Sequence, residues 1–453
     1  MQQGHWSLDA ARRLHAAGLT PRGFDPAIEP KTVRELLEAF EHGADRSALA
    51  AAFRARFEEE FQGVVAEPDP RANDVQGLLR LEAGIRSQSG TVLLGWGFHD
   101  AWSGPLPGPD RGVGVAGGAV LGRAGPVAAT LRVRLDDDGP ELGDSRIGTE
   151  LGAVSLWAGV GALAFRTTPY GGAVLSGSDV RPGLGAHTRS SIEVPVVGPI
   201  RFSTAFTRLA HNHPYAHPWL WSARLQLSPH ARLDLGLNRG AMMGGEGNHD
   251  FSLRRVAYVL IGKHNDRFDN QVVSVSARYR PPVGFPLSLQ LEWGIEDSAG
   301  AWKDVPGLIA AADLAAVPGL PWLALGASGA WFDAVCCGNS PWYHNFVFLG
   351  GWADSGRLLG HPLGGHGAEA RLYGRADLLD ARLQVRTSAF GRDRGRENLF
   401  APDREGRSVG FTLGFLALAH ATWQIELNGE LETATGSGDW SETRLELLSR
   451  ATF

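Results

Sequence analysis

Leu287-Ser288-Leu289-Gln290-Leu291-Glu292-Trp293-Gly294-Ile295 carries an apolar residue at every odd position and none at an even one. A period of two sends the two sets to opposite faces of a β-strand. The stretch 127–135 repeats the pattern, with Val127, Ala129, Leu131, Val133 and Leu135 on one face and Thr130, Arg132 and Arg134 on the other. Similar runs read as strands at 78–86, 222–227, 232–237, 272–279 and 381–389, and 409–427 spans more than one. Strand after strand with one oily face and one face of Arg, Gln and Glu fits a barrel with lipid outside and water inside. A soluble β-sandwich or propeller alternates too. The terminal aromatic Phe453, the uneven connections and the lack of a propeller repeat favour a large antiparallel transmembrane β-barrel.

Composition admits that fold and closes off others. Of 453 residues, 43% are hydrophobic and 14 are Trp, too apolar a mixture for disorder. The 60 glycines, roughly twice ordinary usage, suit tight turns and close strand packing. No stretch approaches the ~20 apolar residues of a membrane helix. That excludes a helical membrane protein but not a barrel, whose signal is diluted by alternation. A net charge of -6 argues against nucleic acid as a partner. The only cysteines, Cys336 and Cys337, are adjacent and read as two loop thiols or one local disulfide. Without a spaced ligand set they make no zinc site, and no cofactor is expected. An outer-membrane protein is exported behind a signal peptide, yet Met1-Gln2-Gln3-Gly4-His5-Trp6 has neither a basic start nor an apolar core. The stretch fits a mature form or a misplaced start codon, with a cytoplasmic protein as the alternative.

Residues 1–63 read as a small N-terminal three-helix bundle. Ser7 can cap a helix through Leu8, Ala11 and Leu14 that closes at Gly18. Pro30 opens a second, with Val33, Leu36, Leu37 and Phe40 at helical spacing before Gly43. A third starts near Asp45 and carries Leu49, Phe53, Phe57 and Phe61. Such a bundle is too small to stand comfortably alone and is expected to lean on the barrel. Residues 64–76 are the linker and 77–453 the barrel. Connections 228–231 and 281–286 are short, while 240–270, 296–320 and 332–367 are long, the habit of outer-membrane barrels whose long loops face outward. About 20 residues per strand and connection suggests roughly 16–18 strands. Leu445, Leu447, Ala451 and Phe453 resemble a terminal strand read by the barrel-assembly machinery, with Ser449 interrupting the series.

The long loops are where recognition would sit. One holds His211, His213, Tyr215, His217 and Trp219; another runs Pro341-Trp342-Tyr343-His344-Asn345 and on through Trp352, Asp354, Arg357 and His361. Indole and phenol faces stack on sugar C–H faces, while His, Asn, Asp and Arg bond hydroxyls and carboxylates. The same aromatics could instead form an interfacial belt. His211 and His213 lack a carboxylate at ligand spacing, so loop histidines are favoured over a metal site. No H-E-x-x-H pair is present. Glu296 and Asp297 are adjacent in one strand and point to opposite faces, so they cannot flank a glycosidic bond. Arg132, Arg134, Arg224, Arg278 and Arg382 are expected to face the lumen, with Glu292 and Glu426 as partners, and to plug it.

In series, several landmarks resemble the capsule assembly Wzi family. Leu175-Ser176-Gly177-Ser178-Asp179-Val180-Arg181-Pro182 looks like the family's L-S-N-N-A-R-P segment and is followed by Gly198-Pro199. Leu235-Gly236-Leu237-Asn238-Arg239 with Gly244-Gly245-Glu246-Gly247, then Asp269-Asn270-Gln271 and Glu296-Asp297, come in the expected order. Tyr343-His344 followed by Gly356-Arg357-Leu358-Leu359-Gly360-His361 is similar to its most recognisable loop. Trp352 stands where the family commonly has Tyr, and the vicinal cysteines match no family pattern. The resemblance implies an 18-stranded barrel, a helical bundle at its periplasmic side, and a surface lectin holding capsular polysaccharide or exopolysaccharide. The expected protein is a monomer of the outer membrane. Its candidate contacts are Trp342, Tyr343, His344, Trp352, Asp354, Arg357, His361, His213, Tyr215 and Arg181. A porin or polysaccharide export channel is the rival, and a glycan hydrolase a more distant one.

Overall fold

The computed structural model describes residues 5–29, 31–61, 76–89, 111–124, 127–136, 139–142, 145–151, 153–161, 164–176, 183–249, 252–261, 268–296, 306–334, 341–355, 357–401, 404–420, 422–435 and 440–453. Eighteen strands run antiparallel, each beside its sequence neighbours, and close into one barrel. The first nine are β1 (Gln76–Ser89), β2 (Arg111–Ala124), β3 (Val127–Asp136), β4 (Gly139–Leu142 with Ser145–Leu151), β5 (Val154–Gly161), β6 (Gly183–Val194), β7 (Gly198–Arg208), β8 (Trp219–His230) and β9 (Leu233–Met243). The rest are β10 (Asp269–Tyr279), β11 (Leu287–Glu296), β12 (Gly307–Leu314), β13 (Leu323–Phe332), β14 (Gly367–Leu378), β15 (Leu383–Arg394), β16 (Gly406–His420), β17 (Trp423–Ala434) and β18 (Ser441–Thr452). Both pieces of β4 pair with β3. Closure is β18 on β1, from Arg80 opposite Thr452 to Ser89 opposite Thr443.

Alternation in the sequence becomes inside and outside. On β11, Ser288, Gln290, Glu292 and Glu296 are buried in the lumen, while Leu289, Leu291 and Trp293 stand on the outer wall. Leu289 is 42% exposed and Gln290 6%. On β3, Arg132 is inside, with Leu131, Val133 and Leu135 outside. Closing the sheet satisfies every strand edge, and the apolar outer wall is then solvated by hydrocarbon. Among the described residues no helix is long and apolar enough to cross a membrane. Ser449, which interrupts the apolar series of β18, accepts the Trp423 indole N–H at 2.8 Å on that wall. An outward arginine at mid-membrane costs roughly 2–4 kcal/mol. Leu289→Arg is therefore expected to cut the yield of folded barrel sharply. Gln290→Arg, which points inward at Asp313 (a partner of Gln290), should cut it far less. Comparing the unheated mobility of the two variants on a gel measures this.

Two expectations about the strands need correction. The long connection expected at 296–320 contains β12, Gly307–Leu314. Alanine on both faces of that strand (Ala310 and Ala312 out, Ala311 in) erases the contrast that marks alternation. The strand expected at 381–389 begins at Leu383, because Leu379, Asp380 and Ala381 turn through positive φ.

Three helices close the end where the connections are short: α1 (Trp6–Ala16), α2 (Val33–Ala44) and α3 (Ala48–Glu60). Their starts differ from expectation. His5, with Ser7 inside the helix, caps α1, and Thr32 with Glu35 forms a capping box on α2. Trp6, Phe40, Phe53, Phe57 and Phe61 bury one another, Trp6 lying parallel to Phe40 at 6.1 Å. The bundle holds the barrel by guanidinium groups on turn carbonyls. Arg13 donates to Ala315, Pro321 and Trp322, Arg22 to Ser228 and Pro229, and Arg56 to Ala381. The expected linker, 64–76, lies outside the described residues except for Gln76.

Candidate functional site

The long-loop end has its own core, built inside the barrel. Leu220, Met242, Val272, Ile309, Ala330 and Phe332 face inward toward that end of their strands and form an apolar collar. Segments 164–176 and 342–363 descend into the collar. Trp342 and Trp352 are 0% exposed there. Inward glycines on three separate strands make the room. A Cβ on Gly240 would stand 2.6 Å from the Trp352 ring, and one on Gly294 or Gly307 3.1 or 2.9 Å from Trp342. The Trp352 indole N–H donates to the Val174 carbonyl at 2.7 Å. The Tyr343 hydroxyl donates to the Ala173 carbonyl at 2.8 Å and accepts the His361 N–H at 2.9 Å. Glu296, at the end of β11, accepts the Tyr343 backbone N–H; Asp297 lies outside the described residues.

A second loop is stitched over this core. Asp354 accepts the backbone N–H groups of Ala210 and His211 at 2.9 and 3.1 Å. Asn212 donates to the Gly351 and Ala353 carbonyls at 2.8 and 2.7 Å. The result holds exposed His211 and His213 beside the exposed loop residues Leu349 and Ser355, since Gly350 and Ser355 donate to the His213 and His211 carbonyls.

The structure buries half of the ten expected contact residues. Trp342, Tyr343, Trp352, Asp354 and His361 are buried, and the Tyr343 hydroxyl, the Trp352 indole N–H and the Asp354 carboxylate bond within the cap. His344, Arg357 and Tyr215 are half-buried, Tyr215 resting edge-on against Phe348 at 5.4 Å. His213 is exposed, and Arg181 lies outside the described residues, as do Cys336 and Cys337. His217, exposed, bonds Glu246 at 2.8 Å. Among the described residues no group of three or more His, Cys, Asp or Glu is set to hold a metal. The aromatic that sequence reasoning missed is Phe346, 68% exposed and next after the quoted Pro341–Asn345 run. Its signal was position alone.

Burial lowers the His361 imidazole from 6.5 to about 4, with Arg392 and Arg371 adding to the effect and Glu369 opposing it. Its Nδ1 accepts the Leu363 N–H, a neutral-ring arrangement. Above pH 6.5 the ring is neutral whether the loop is seated or released. Between 6.5 and 4 only the released loop takes up the proton, so seating weakens progressively, by up to about 3 kcal/mol. Limited proteolysis next to Phe346 should therefore accelerate as pH falls from 7 to 4.5, and His361→Gln should flatten that dependence.

Below the cap the lumen is charged. Arg132 pairs with Glu82 at 2.5 Å, Arg224 with Asp25 at 2.7 Å, and Glu426 with Arg386 and Arg450 at 2.7 and 3.2 Å. Arg278 donates to the Thr167 carbonyl and to Gln290, both at 3.0 Å. Glu292 faces inward but takes Ser274, Asn238 and the Ala173 N–H in place of the expected arginine. Arg382 is a correction: it sits in the exposed turn before β15 and pairs with Glu59 of α3 at 3.2 Å. The Arg134 side chain lies outside the described residues. The chain between α1 and α2 rises through the lumen to meet the cap, Ile28 pairing with Phe165 and Glu29 with Ala164. Residues of α1, Tyr170 and the wall line a cavity of about 140 Å³, bordered by Arg375, Arg386 and Asp313.

No curated protein matches this chain by sequence at a significant level. The Escherichia coli outer-membrane protein Wzi, involved in group 1 capsule assembly and a carbohydrate-binding β-barrel, superposes with TM-score 0.75 at 15% identity. The match covers 98% of this chain and 97% of that one. Pseudomonas aeruginosa OpdO and OpdL each superpose at TM-score 0.51, with 11% and 12% identity, over 84% of this chain and 97% and 99% of theirs. At such identities these likenesses speak to the fold alone. The family model for capsule assembly protein Wzi matches residues 110–449, and the chain belongs to that family.

Proposed function

We propose that this protein is an outer-membrane lectin that binds capsular polysaccharide or exopolysaccharide at the cell surface and anchors it there without catalysing a reaction. The observation that carries the reading is the filled lumen. The loop cap and the helical bundle meet through the Ile28–Phe165 ladder, which makes the long-loop face a rigid platform rather than a mouth. Family membership supports it, and the Escherichia coli relative is itself carbohydrate-binding. The long loops face outside and the bundle faces the periplasm. A closed barrel leaves no strand edge to pair with a second copy, which supports a monomer once the barrel-assembly machinery has inserted it. On the platform, Phe346 offers a ring face to sugar C–H groups, and His211 and His213 reach hydroxyls or carboxylates.

The test is binding of the purified barrel to immobilised polysaccharide from its own host. An aromatic contact worth about 1 kcal/mol corresponds to roughly fivefold in affinity. Phe346→Ala is expected to lose at least that much, while Phe202→Ala, on the outer wall, should bind as the parent does. Equal binding by both variants would refute the platform. The cavity beside α1 favours a second reading, a porin or export channel, in which α1 would have to leave the lumen. Steady single-channel conductance in planar bilayers would support that reading.

A further inference from the structure

Residues 252–261 of the loop between β9 and β10 pack on the outside of the wall. Within them α4 (Leu253–Leu260) starts at Ser252, whose hydroxyl accepts the Arg255 N–H. Register fixes which wall residues it covers. Phe206 lies opposite Trp221, Trp221 opposite Ala241, and Trp219 opposite Met243, so all share the outward face. These residues pack with Val256, Val259 and Phe268 into a small core outside the barrel. Arg239 is outward on the same strand, a costly place for a charge in a lipid-facing wall. Here its guanidinium lies over the Trp221 ring at 5.4 Å and donates to the Val259 and Leu260 carbonyls at 2.5 and 3.0 Å. It thus caps the C-terminus of α4, where a cation also meets the negative end of the helix dipole.

That cap sets the height of the helix. Below Arg239 on the same outward face, Leu235 and Leu237 belong to the exposed apolar belt; above it, Ala241 and Met243 are covered. The helix therefore lies at the upper border of the belt. It does not bury all its own apolar surface: Leu253 is 88% exposed and Ile261 73%, with Leu260 exposed as well. Arg254 and Arg255 extend from the same turn, Arg254 over the Tyr258 ring at 5.3 Å and Arg255 over Phe268 at 5.6 Å. Apolar side chains left bare at the edge of a hydrocarbon belt, with arginines and a tyrosine beside them, match an interfacial helix.

We propose that α4 is a lipid-binding element: Leu253, Leu260 and Ile261 enter the acyl boundary, and Arg254 and Arg255 bind the phosphate groups of headgroups in the leaflet at the long-loop end. The proposal rests on the barrel being membrane-embedded but not on the glycan reading. A rigid platform held over a leaflet gains from such a clamp, because the phosphates fix one side of the barrel at a set depth.

Full-length protein in mixed micelles of phosphatidylcholine and phosphatidylglycerol, analysed for retained lipid by native mass spectrometry, tests it. One arginine near an anionic surface is worth about fivefold in binding. Arg254→Ala with Arg255→Ala is expected to reduce the preference for phosphatidylglycerol roughly twentyfold and to remove most of its salt dependence. The Lys/Lys pair should retain much of the preference, and Arg34→Ala, on the exposed face of α2, should retain all of it. Unheated gel mobility confirms that each variant is folded. An unchanged phosphatidylglycerol preference in the double alanine variant would overturn the proposal. So would a wild-type protein with no preference, or one whose bound lipid is displaced equally well by millimolar inorganic phosphate. Polysaccharide binding by the double alanine variant should match the parent, which separates this outcome from failure of the lectin reading.

Discussion

Glu432→Ala is expected to destabilise the barrel by roughly 3–5 kcal/mol, the cost of leaving a buried charge without its partner. Glu432 on β17 receives Arg392 at 2.8 Å and Arg394 at 2.7 Å, and the Ser408 hydroxyl donates to it as well. All three charged groups are buried in the lumen wall. Arg392 keeps Glu369 at 2.6 Å when Glu432 is removed, so the loss falls mainly on Arg394. The variant should unfold at clearly lower temperature when conversion of the heat-modifiable band is followed on a gel. Replacing both members, Glu432→Met with Arg394→Met, should recover most of the loss, because an apolar pair of similar volume avoids desolvating two charges. Equal melting of Glu432→Ala and the parent would mean that the lumen is wet enough to solvate Arg394.

The second large effect concerns the cap. Trp352→Ala removes a fully buried indole and its bond to Val174, and large-to-small changes of this kind cost roughly 3–5 kcal/mol. Because the indole lies between wall and loop, the cost should appear as release of the 342–363 segment rather than loss of the barrel. Faster loop proteolysis with unchanged gel mobility is the expected signature. Gly240→Ala attacks the same contact from the wall, since its Cβ would press on the ring at 2.6 Å. In the Trp352→Ala background that pressure is gone. The double variant should be no worse than Trp352→Ala alone, a coupling that independent sites would not show.

The fold was legible because a barrel in lipid needs outward apolar and inward polar residues along each strand, and Leu287–Ile295 or Val127–Leu135 display that need directly. β12 was hidden for the same reason: Ala310, Ala311 and Ala312 give neither face a character. The cap was harder to read. Trp342 and Trp352 beside His, Asp and Arg look alike in sequence whether they line a surface or fill a lumen. What decides is the set of glycine sockets at 240, 294 and 307, which are far apart in the chain and meet only in the closed barrel. Arg382 was misplaced because the chain reverses through three left-handed residues just before it. Helix α4 carries Leu253, Val256, Ala257 and Leu260 at helical spacing, but its eight residues sit inside a stretch that read as loop.

The partition of surface polysaccharide between cell-bound and shed fractions, with and without this protein, tests the central claim most directly. An anchoring lectin predicts that total polysaccharide output holds while the bound fraction moves into the medium when the protein is absent. A partition that stays the same in its absence would contradict the account.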